Sequence, residues 1–336
     1  MEPTVSVLVP THNRGKRLPE LLDALSSEPV KDIVIVVNGS RDGSLEILEE
    51  RAAVDSRLKP LWIDGASQSR ALQLAAENAT GDVVLMLDDD VIPEPGLVEG
   101  HARHHVDAGD LVVVGYMPVV LPARRRPGEY PLYMYSRGYE NTCASYEEDP
   151  SAIFRGYWAG NVSLRRETAL RVGLGQSADL PGPYSNHRDR DFGLRCEAAG
   201  LRGVFDRSLR AAHKHKRPPK VFARSARGSG YNRWVIHRVH ADVIGVLPDD
   251  CYERAVSFPG RLLVRWARHR GARKPIQFLL RQVAAIAGFL RFFRLESYAG
   301  YVIGTIERQR GSLEAAATAG PLLERDAIPN STSRAG

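Results

Sequence analysis

The sequence predicts an α/β protein: a doubly wound, mostly parallel sheet flanked by helices, followed by a basic helical C-terminal extension. Three observations carry that expectation. Short apolar runs alternate with helix-period segments through the first hundred residues. The runs end in turns or polar clusters, where an α/β sheet presents its ligand-binding edge. The charge balance then changes sign: residues 1–206 hold 22 Lys and Arg against 31 Asp and Glu, whereas residues 207–336 hold 24 against 9. Strands separated by helices run parallel, since a crossover helix returns the chain to the same end of the sheet.

Val5–Pro10 is a continuous apolar run closed by proline, the pattern of a strand buried on both faces. Leu18, Leu21, Leu22 and Leu25 repeat at helical spacing. Asp32–Val37 is a second strand, stopped by the turn-forming Asn38-Gly39-Ser40. A helix over 44–53 and a short strand at Leu61–Ile63 come next. Ser67 caps a helix carrying Ala71, Leu72, Ala75 and Ala79, with Gly81 just past its end. Val83–Leu87 is the fourth strand and runs directly into Asp88-Asp89-Asp90; Leu111–Gly115 is another. From Tyr116 to Tyr184 the texture is irregular and aromatic, with eight of the twelve tyrosines. Residues 159–173 read as strand, turn and helix, and 188–200 as a helix ended by Gly200. Gly203–Asp206 returns as a strand before the basic run His213-Lys214-His215-Lys216-Arg217. Helices continue to about Arg310, and 311–336 reads as a loose tail.

At 43% hydrophobic and 26% charged, the chain has the makeup of a globular protein with a sizeable core, which excludes coiled-coil, collagen-like and wholly disordered classes. No run approaches the ~18–20 uncharged apolar residues of a membrane-spanning helix. The start has no basic segment followed by a long apolar one, so no signal peptide is expected. Cys143, Cys196 and Cys251 stand far apart, with neither disulfide nor zinc spacing. The expected location is cytoplasmic, free or peripheral on the inner face of the membrane.

Three carboxylates at a strand end repel one another, and a divalent cation is the usual compensation. Mg²⁺ and Mn²⁺ are commonly held by one or two carboxylates together with substrate phosphate oxygens. A solvated acidic turn is the alternative; the position after a buried strand favours a ligand site. Pro10-Thr11-His12-Asn13, Asn38-Gly39-Ser40 and Asp88-Asp89-Asp90 all lie at strand ends and should converge on one cleft.

The segments VSVLVPTHNR, VVNGSRDGS, SQSRALQLAAENATGDVVLMLDDDVIPEPGLVE and AGNVSLRRETALRVG, in that order, resemble family 2 glycosyltransferases over about residues 5–216. The resemblance implies a GT-A fold, a nucleotide-diphosphate sugar donor, Mg²⁺ or Mn²⁺, and inversion at the anomeric carbon. It divides the chain into a nucleotide-sugar half at 1–116, an acceptor and catalytic half at 117–216, a basic helical region at 217–310 and a tail at 311–336. Carried over, Asp88 meets the ribose and Asp90 the metal, with Asp89 among the donor contacts. Pro10, Thr11, Asn13 and Asn38 line the nucleoside pocket, and Arg70 lies near the base or diphosphate. His213 is placed at the metal or diphosphate. Asp189 is the expected general base and Asp191 the runner-up. Trp158 and Asn161 are candidate acceptor contacts, although the aromatic interval reads equally as packing. The acceptor is a glycan, a lipid-linked sugar or a small molecule.

Three positions depart from the family pattern. Arg188 stands where a Glu is usual, Val37 where an Asp often reads the pyrimidine, and Ala71 where an Asn is usual. Uracil recognition is therefore not assured, and a guanine or thymine nucleotide stays open. Arg188 and Val37 also leave room for a non-catalytic, membrane-associated scaffold that binds a sugar nucleotide. Phosphoryl transfer is weaker: Ile92 breaks the D-x-D-x-Thr/Val pattern of haloacid-dehalogenase-type phosphatases, and no P-loop or dinucleotide glycine motif occurs.

In the back half, Ile276, Leu279, Leu280, Val283, Ile286, Leu290 and Phe293 form a helical apolar stripe flanked by Arg281, Arg291 and Arg294. It suits either an ordinary helix packed on the domain or an amphipathic helix on anionic lipid, through residues 254–310. No nucleic-acid motif accompanies the charge, so nucleic acid is not an expected partner.

Overall fold

The computed structural model describes residues 2–65, 67–175, 180–184, 187–320 and 323. The chain divides into two compact units. One comprises 1–120, 136–179 and 188–215; the other 121–135, 180–187 and 216–336.

The first unit is built on β1 (Val5–Thr11), β2 (Asp32–Asn38), β3 (Leu58–Ile63), β4 (Val83–Leu87), β5 (Val91–Pro93), β6 (Leu111–Tyr116), β7 (Asn161–Arg165) and β8 (Arg202–His213). They form one sheet in the order β3-β2-β1-β4-β7-β6-β8-β5. The first four are parallel, β7 is antiparallel to both β4 and β6, and β5 is antiparallel to β8. Between them lie α1 (Leu18–Leu25), α2 (Ser44–Ala52), α3 (Gln68–Asn78), α4 (Leu97–His104), α5 (Tyr130–Glu148), α6 (Ala152–Arg155), α7 (Arg166–Val172) and α8 (Arg188–Ala198).

Both faces of the central strands are covered, which explains their uninterrupted apolar runs. Val5, Val7 and Val9 join one core with Ile33, Ile35 and the leucines of α1. Leu8, Val34 and Val36 join a second core with Ala71, Leu72 and Ala75 of α3. Side chains alternate across the sheet, so each strand feeds both cores. Val37 and Ala71 are both fully buried, one in each core.

The aromatic interval is not irregular. It contains α5, a 19-residue helix rich in residues of weak helix propensity. Tertiary packing decides it: Tyr139, Cys143 and Tyr146, at helical spacing, are buried. The Tyr139 hydroxyl accepts from Met117 N at 2.8 Å, and its ring stacks on Tyr116 with centroids 6.0 Å apart. The expected turn between β7 and α7 is absent too, since α7 begins at the residue after β7 ends.

The second unit is helical, with α9 (Pro219–Val239), α10 (Ala241–Ile244), α11 (Cys251–Arg254), α12 (Gly260–Trp266), α13 (Arg270–Phe289) and α14 (Phe293–Thr318). Gly230 of α9 lies against the backbone of Arg308, and Gly311 of α14 against that of Arg227, so the two helices cross where neither has a Cβ in the way. Segment 121–135 belongs here because Arg125 donates to the buried Glu296 carboxylate at 2.7 Å and to Ser297 Oγ at 2.8 Å. An unpaired carboxylate at that depth would be costly. The expected tail is helical to Thr318, with Gly311, Ser312 and Ala315 buried; residues 321, 322 and 324–336 lie outside the described residues. Among the described residues, no helix is long and apolar enough to cross a membrane.

A buried polar knot ties α4 to the middle of the sheet. His101 bonds Ser163 Oγ through Nδ1 at 2.8 Å and Asn161 Oδ1 through Nε2 at 3.0 Å; His105 Nε2 reaches the same Ser163 hydroxyl at 2.8 Å. Burial holds the His101 imidazole down to about 3 and that of His105 down to about 4. Both are neutral when folded, while the unfolded chain takes up protons below about 6.5. Stability is therefore full above that pH and falls as pH drops below it, by up to about 1.4 kcal/mol per unit per histidine. Urea denaturation should show the midpoint falling between pH 7 and 5, with a shallower fall in His101→Gln. A pH-independent midpoint would contradict the knot.

Candidate active site

The site forms where the strand order reverses, between the carboxyl ends of β1 and β4, the place at which open α/β sheets bind ligands. Thr11, the last residue of β1, is buried and donates through Oγ1 to Asp89 Oδ2 at 2.8 Å. Pro10 pairs with Val36 within the sheet. Asn13 adopts a left-handed backbone (φ 53°), which lets its N–H reach Ser40 Oγ at 2.9 Å while its Oδ1 accepts from Arg41 N at 3.2 Å. His12 Nδ1 donates to the Asn38 carbonyl at 2.5 Å. The loops after β1 and β2 are thus stitched into one rim.

A tight turn follows β4, with Val91 N bonded to the Asp88 carbonyl at 3.0 Å. Val91 then pairs with His213 at the far end of β8, and Lys214 N donates to the Asp90 carbonyl at 2.8 Å. That pairing brings His213 Nε2 within 3.3 Å of Asp90 Oδ1, while Arg17 Nη1 approaches Asp90 Oδ2 at 3.1 Å. His215 stacks edge-on to His213, with centroids 5.0 Å apart. Asp90, His213 and His215 each offer a ligand atom within 4.8 Å of the others.

The carboxylates crowd one another. Asp88 is raised to about 6, mainly by burial, with Asp90, Asp89 and Asp189 pushing the same way against His213. Asp89 is also raised by burial, despite its bond from Thr11. Burial pushes Asp90 up too, but the hydrogen bond and charge of His213, with Arg14, outweigh it and leave Asp90 below the usual carboxylate range. Gln68 Nε2 donates to Asp88 Oδ1 at 3.1 Å. Gly160 closes the other side: a Cβ there would stand 2.9 Å from Asp88 Oδ2.

Asp189 lies at the start of α8. Burial raises it to about 6, against the opposing pull of its hydrogen bond from Arg190 N at 2.9 Å. Its negative charge also helps to raise Asp88. Asp191 is placed differently. It is buried and ion-paired with Arg195 Nε at 3.0 Å, and the same guanidinium holds the carbonyls of Val172 and Gly173. Its role as runner-up base is corrected: it secures α8 to α7.

Asn161 is likewise corrected. It is fully buried, its Oδ1 facing His101 and its Nδ2 donating to the Leu209 carbonyl at 3.0 Å, so both ends of the amide are used inside the fold. Trp158 packs on Tyr139 at 5.2 Å and joins the first core while half-buried. Arg70 is exposed in the first turn of α3, where its backbone N–H donates to the Ser67 cap. Sequence reasoning missed three contributors: Arg14, Arg17 and His215. His215 had a readable signal, since residues two apart on an extended strand share a face.

Residues 6–160 match the family model described as glycosyl transferase family 2. Over those residues the chain is similar to family 2 glycosyltransferases. Among relatives, a glucosyl-dolichyl phosphate glucuronosyltransferase of Haloferax volcanii is 25% identical over 224 residues, covering 62% of this chain and 69% of that one. An undecaprenyl-phosphate 4-deoxy-4-formamido-L-arabinose transferase of Pseudomonas fluorescens is 38% identical over 98 residues, 27% of this chain and 29% of the relative. Putative glycosyltransferase EpsH of Bacillus subtilis is 31% identical over 116 residues, 34% of each chain. The chain thus spans about a third or less of those last two relatives. A mannosyltransferase from Pyrobaculum calidifontis, solved with GDP-Man and Mn²⁺, superimposes with a TM-score of 0.56 at 18% identity, over 91% of this chain and 86% of that one. The shared fold is of the GT-A type.

The donor set at Asp90 fits a divalent cation. One carboxylate and two imidazoles suit a borderline ion such as Mn²⁺ better than Mg²⁺, which prefers oxygen alone. Titration calorimetry with Mn²⁺ should show His215→Ala and Asp90→Ala each weakening binding about 100-fold, at or beyond the loss seen when supporting groups are removed. Unchanged Mn²⁺ affinity in His215→Ala would remove that residue from the site.

Proposed function

We propose that the protein is an inverting, metal-dependent glycosyltransferase that moves a sugar from a nucleotide-diphosphate donor to an acceptor hydroxyl. The observation that carries this reading is the Asp90–His213–His215 donor set after β4, together with Asp189, a carboxylate raised by burial, at the start of α8. Inversion requires a base on one side of the anomeric carbon and support for the departing diphosphate on the other. When bound, Mg²⁺ or Mn²⁺ supplies Lewis-acid stabilisation of that diphosphate.

Asp189 takes the acceptor hydroxyl proton, while backbone N–H groups, that of Arg190 on Oδ1 among them, hold the carboxylate in place. Burial makes it a better base than an exposed carboxylate, and the N-terminus of α8 keeps it ionised near neutrality. Asp88 binds the ribose, with Gln68 fixing its orientation, while Asp89 is oriented by Thr11. Asn13 and Asn38 border the nucleoside, Pro10 supports that rim from within the sheet, and Arg70 lies toward the base or diphosphate. Relatives whose names carry dolichyl phosphate and undecaprenyl phosphate support an acceptor built on a polyprenyl phosphate. Trp158, half-buried beside Gly160, borders the acceptor side.

A thermal-shift panel of UDP-, GDP-, dTDP- and CDP-sugars, with and without Mn²⁺, identifies the donor, since a bound ligand stabilises by RT ln(1 + [L]/Kd). With that donor, Asp189→Asn should keep its affinity and lose turnover by ~10²-fold or more. In the wild type, kcat/KM should rise with pH through about 6 as Asp189 ionises, with a limb shared with Asp88. Asp191→Asn should act differently, losing about 3 kcal/mol of stability by stranding Arg195. Near-normal turnover in Asp189→Asn would overturn its assignment as the base.

A further inference from the structure

The apolar stripe of α13 divides in two. Leu280, Ala284 and Ala287 are buried toward the core of the helical unit. Ile276 and Val283 pack partly buried against the same core, whereas other large side chains face water: Phe278 is 64% exposed, Leu279 61%, Ile286 59%, Phe289 81% and Leu290 53%. At about 100° per residue these five fall on one arc, interrupted by Gln282. Phe292, just past the helix, extends the arc at 63% exposure. A second exposed row runs through Phe258, Leu262 and Trp266, four residues apart at and before α12. Soluble monomers rarely leave this many large apolar side chains uncovered on one helix arc.

The charge around this face selects what covers it. Residues 254–295 contain ten Lys and Arg and no Asp or Glu. Arg281, Arg291 and Arg294 flank the α13 arc, and Arg261 and Arg265 flank the α12 row; all five are exposed. A second copy of the chain would bring the same arginines against themselves, and like charges across an interface cost several kcal/mol. An anionic bilayer offers both complements, with acyl chains for the phenylalanines and headgroup phosphates for the arginines.

We propose that α13, with the α12 row, is a monotopic docking face that lies in the interface of an anionic lipid bilayer. Phe278, Phe289 and Phe292 enter the acyl boundary, and Arg281, Arg291 and Arg294 stay at headgroup level. The face goes beyond the catalytic reading and does not depend on the identity of donor or acceptor.

The test is flotation of the full-length protein with phosphatidylcholine vesicles, with and without phosphatidylglycerol. The wild type should float with the anionic vesicles, remain in solution with neutral ones, and detach as salt shortens the screening length below its ~8 Å physiological value. The triple variant Phe278→Ser/Phe289→Ser/Phe292→Ser changes only exposed side chains, so circular dichroism and Tm should be unchanged. Its partitioning should fall about tenfold or more with the loss of three buried aromatic groups. Arg281→Gln/Arg291→Gln/Arg294→Gln should lose most of the preference for anionic vesicles. Absence of flotation at low salt would overturn the proposal, as would undiminished binding by the folded phenylalanine variant. A dimer that the phenylalanine variant dissolves, with no vesicle binding by the wild type, would assign the face to a second copy instead. None of these outcomes bears on turnover, so the docking face and the catalytic reading can fail separately.

Discussion

Consecutive aspartates at the end of a buried strand repel one another, and the first unit is arranged around how that repulsion is met. Asp89 turns toward Thr11 and Arg14, Asp90 toward His213 and Arg17, and Asp88 toward Gln68 and Gly160. Each thus points in its own direction, with partners drawn from β1, the loop after it, α3 and β8. The longest reach is that of β8, a 12-residue strand whose last residue pairs with Val91. Without that pairing Asp90 would face only the arginines. With it, one oxygen of Asp90 turns to the arginines and the other to the imidazoles, a division that leaves the second available to a cation.

The parallel half of the sheet was legible because its information is local. Val5–Pro10, Asp32–Val37 and Val83–Leu87 are uninterrupted apolar runs, and α1 and α3 show their buried faces at helical spacing. The GT-A fold that the ordered motifs suggested is the fold observed. What was not legible is what tertiary contact decides. The helix from Tyr130 to Glu148 is built from weak helix formers and exists because Tyr139, Cys143 and Tyr146 are packed. Segment 121–135 lies within the second unit because Arg125 meets Glu296, a pairing across 171 residues that no local pattern signals. Glu296, the first acid after a long basic stretch, is the kind of isolated charge that calls for such a partner.

In the candidate site the same division holds. The aspartate triplet was readable by position, since a strand end in an α/β sheet is a ligand edge whatever the sequence beyond it. The sequence ranked Asp189 ahead of Asp191, both in the first turn of one helix. Two residues along a helix turn the side chain by about 200°, so the two carboxylates point apart, and that of Asp191 meets Arg195. Burial alone does not distinguish a base from a structural ion. The partner does, because a carboxylate fixed by a guanidinium at 3.0 Å has its charge already compensated. Asn161, a candidate acceptor contact by its segment, has both its ends used by His101 and the Leu209 carbonyl.

The stripe on α13 shows why periodicity alone cannot tell a core helix from a surface one. Seven apolar positions at helical spacing describe a wide arc, and the sequence does not say which part the neighbouring helix covers. In the structure, small residues make the contact: Ala284, Ala287 and Gly288 lie inward, where Glu296 approaches Gly288 closely. Leu280, with Ile276 and Val283 beside it, fills the inner side, while the phenylalanines lie outside it. A helix that carries bulky apolar residues on its outer arc as well as its inner one has the character expected when the outer surroundings are apolar too. Arginines at the edge of the outer arc fit that setting, because a long stem can lie along apolar surface while the guanidinium stays at the polar boundary. Taken with the absence of acids from 254 to 295, the helical unit meets two media at once, its own core through leucine and alanine and the outside through phenylalanine and arginine.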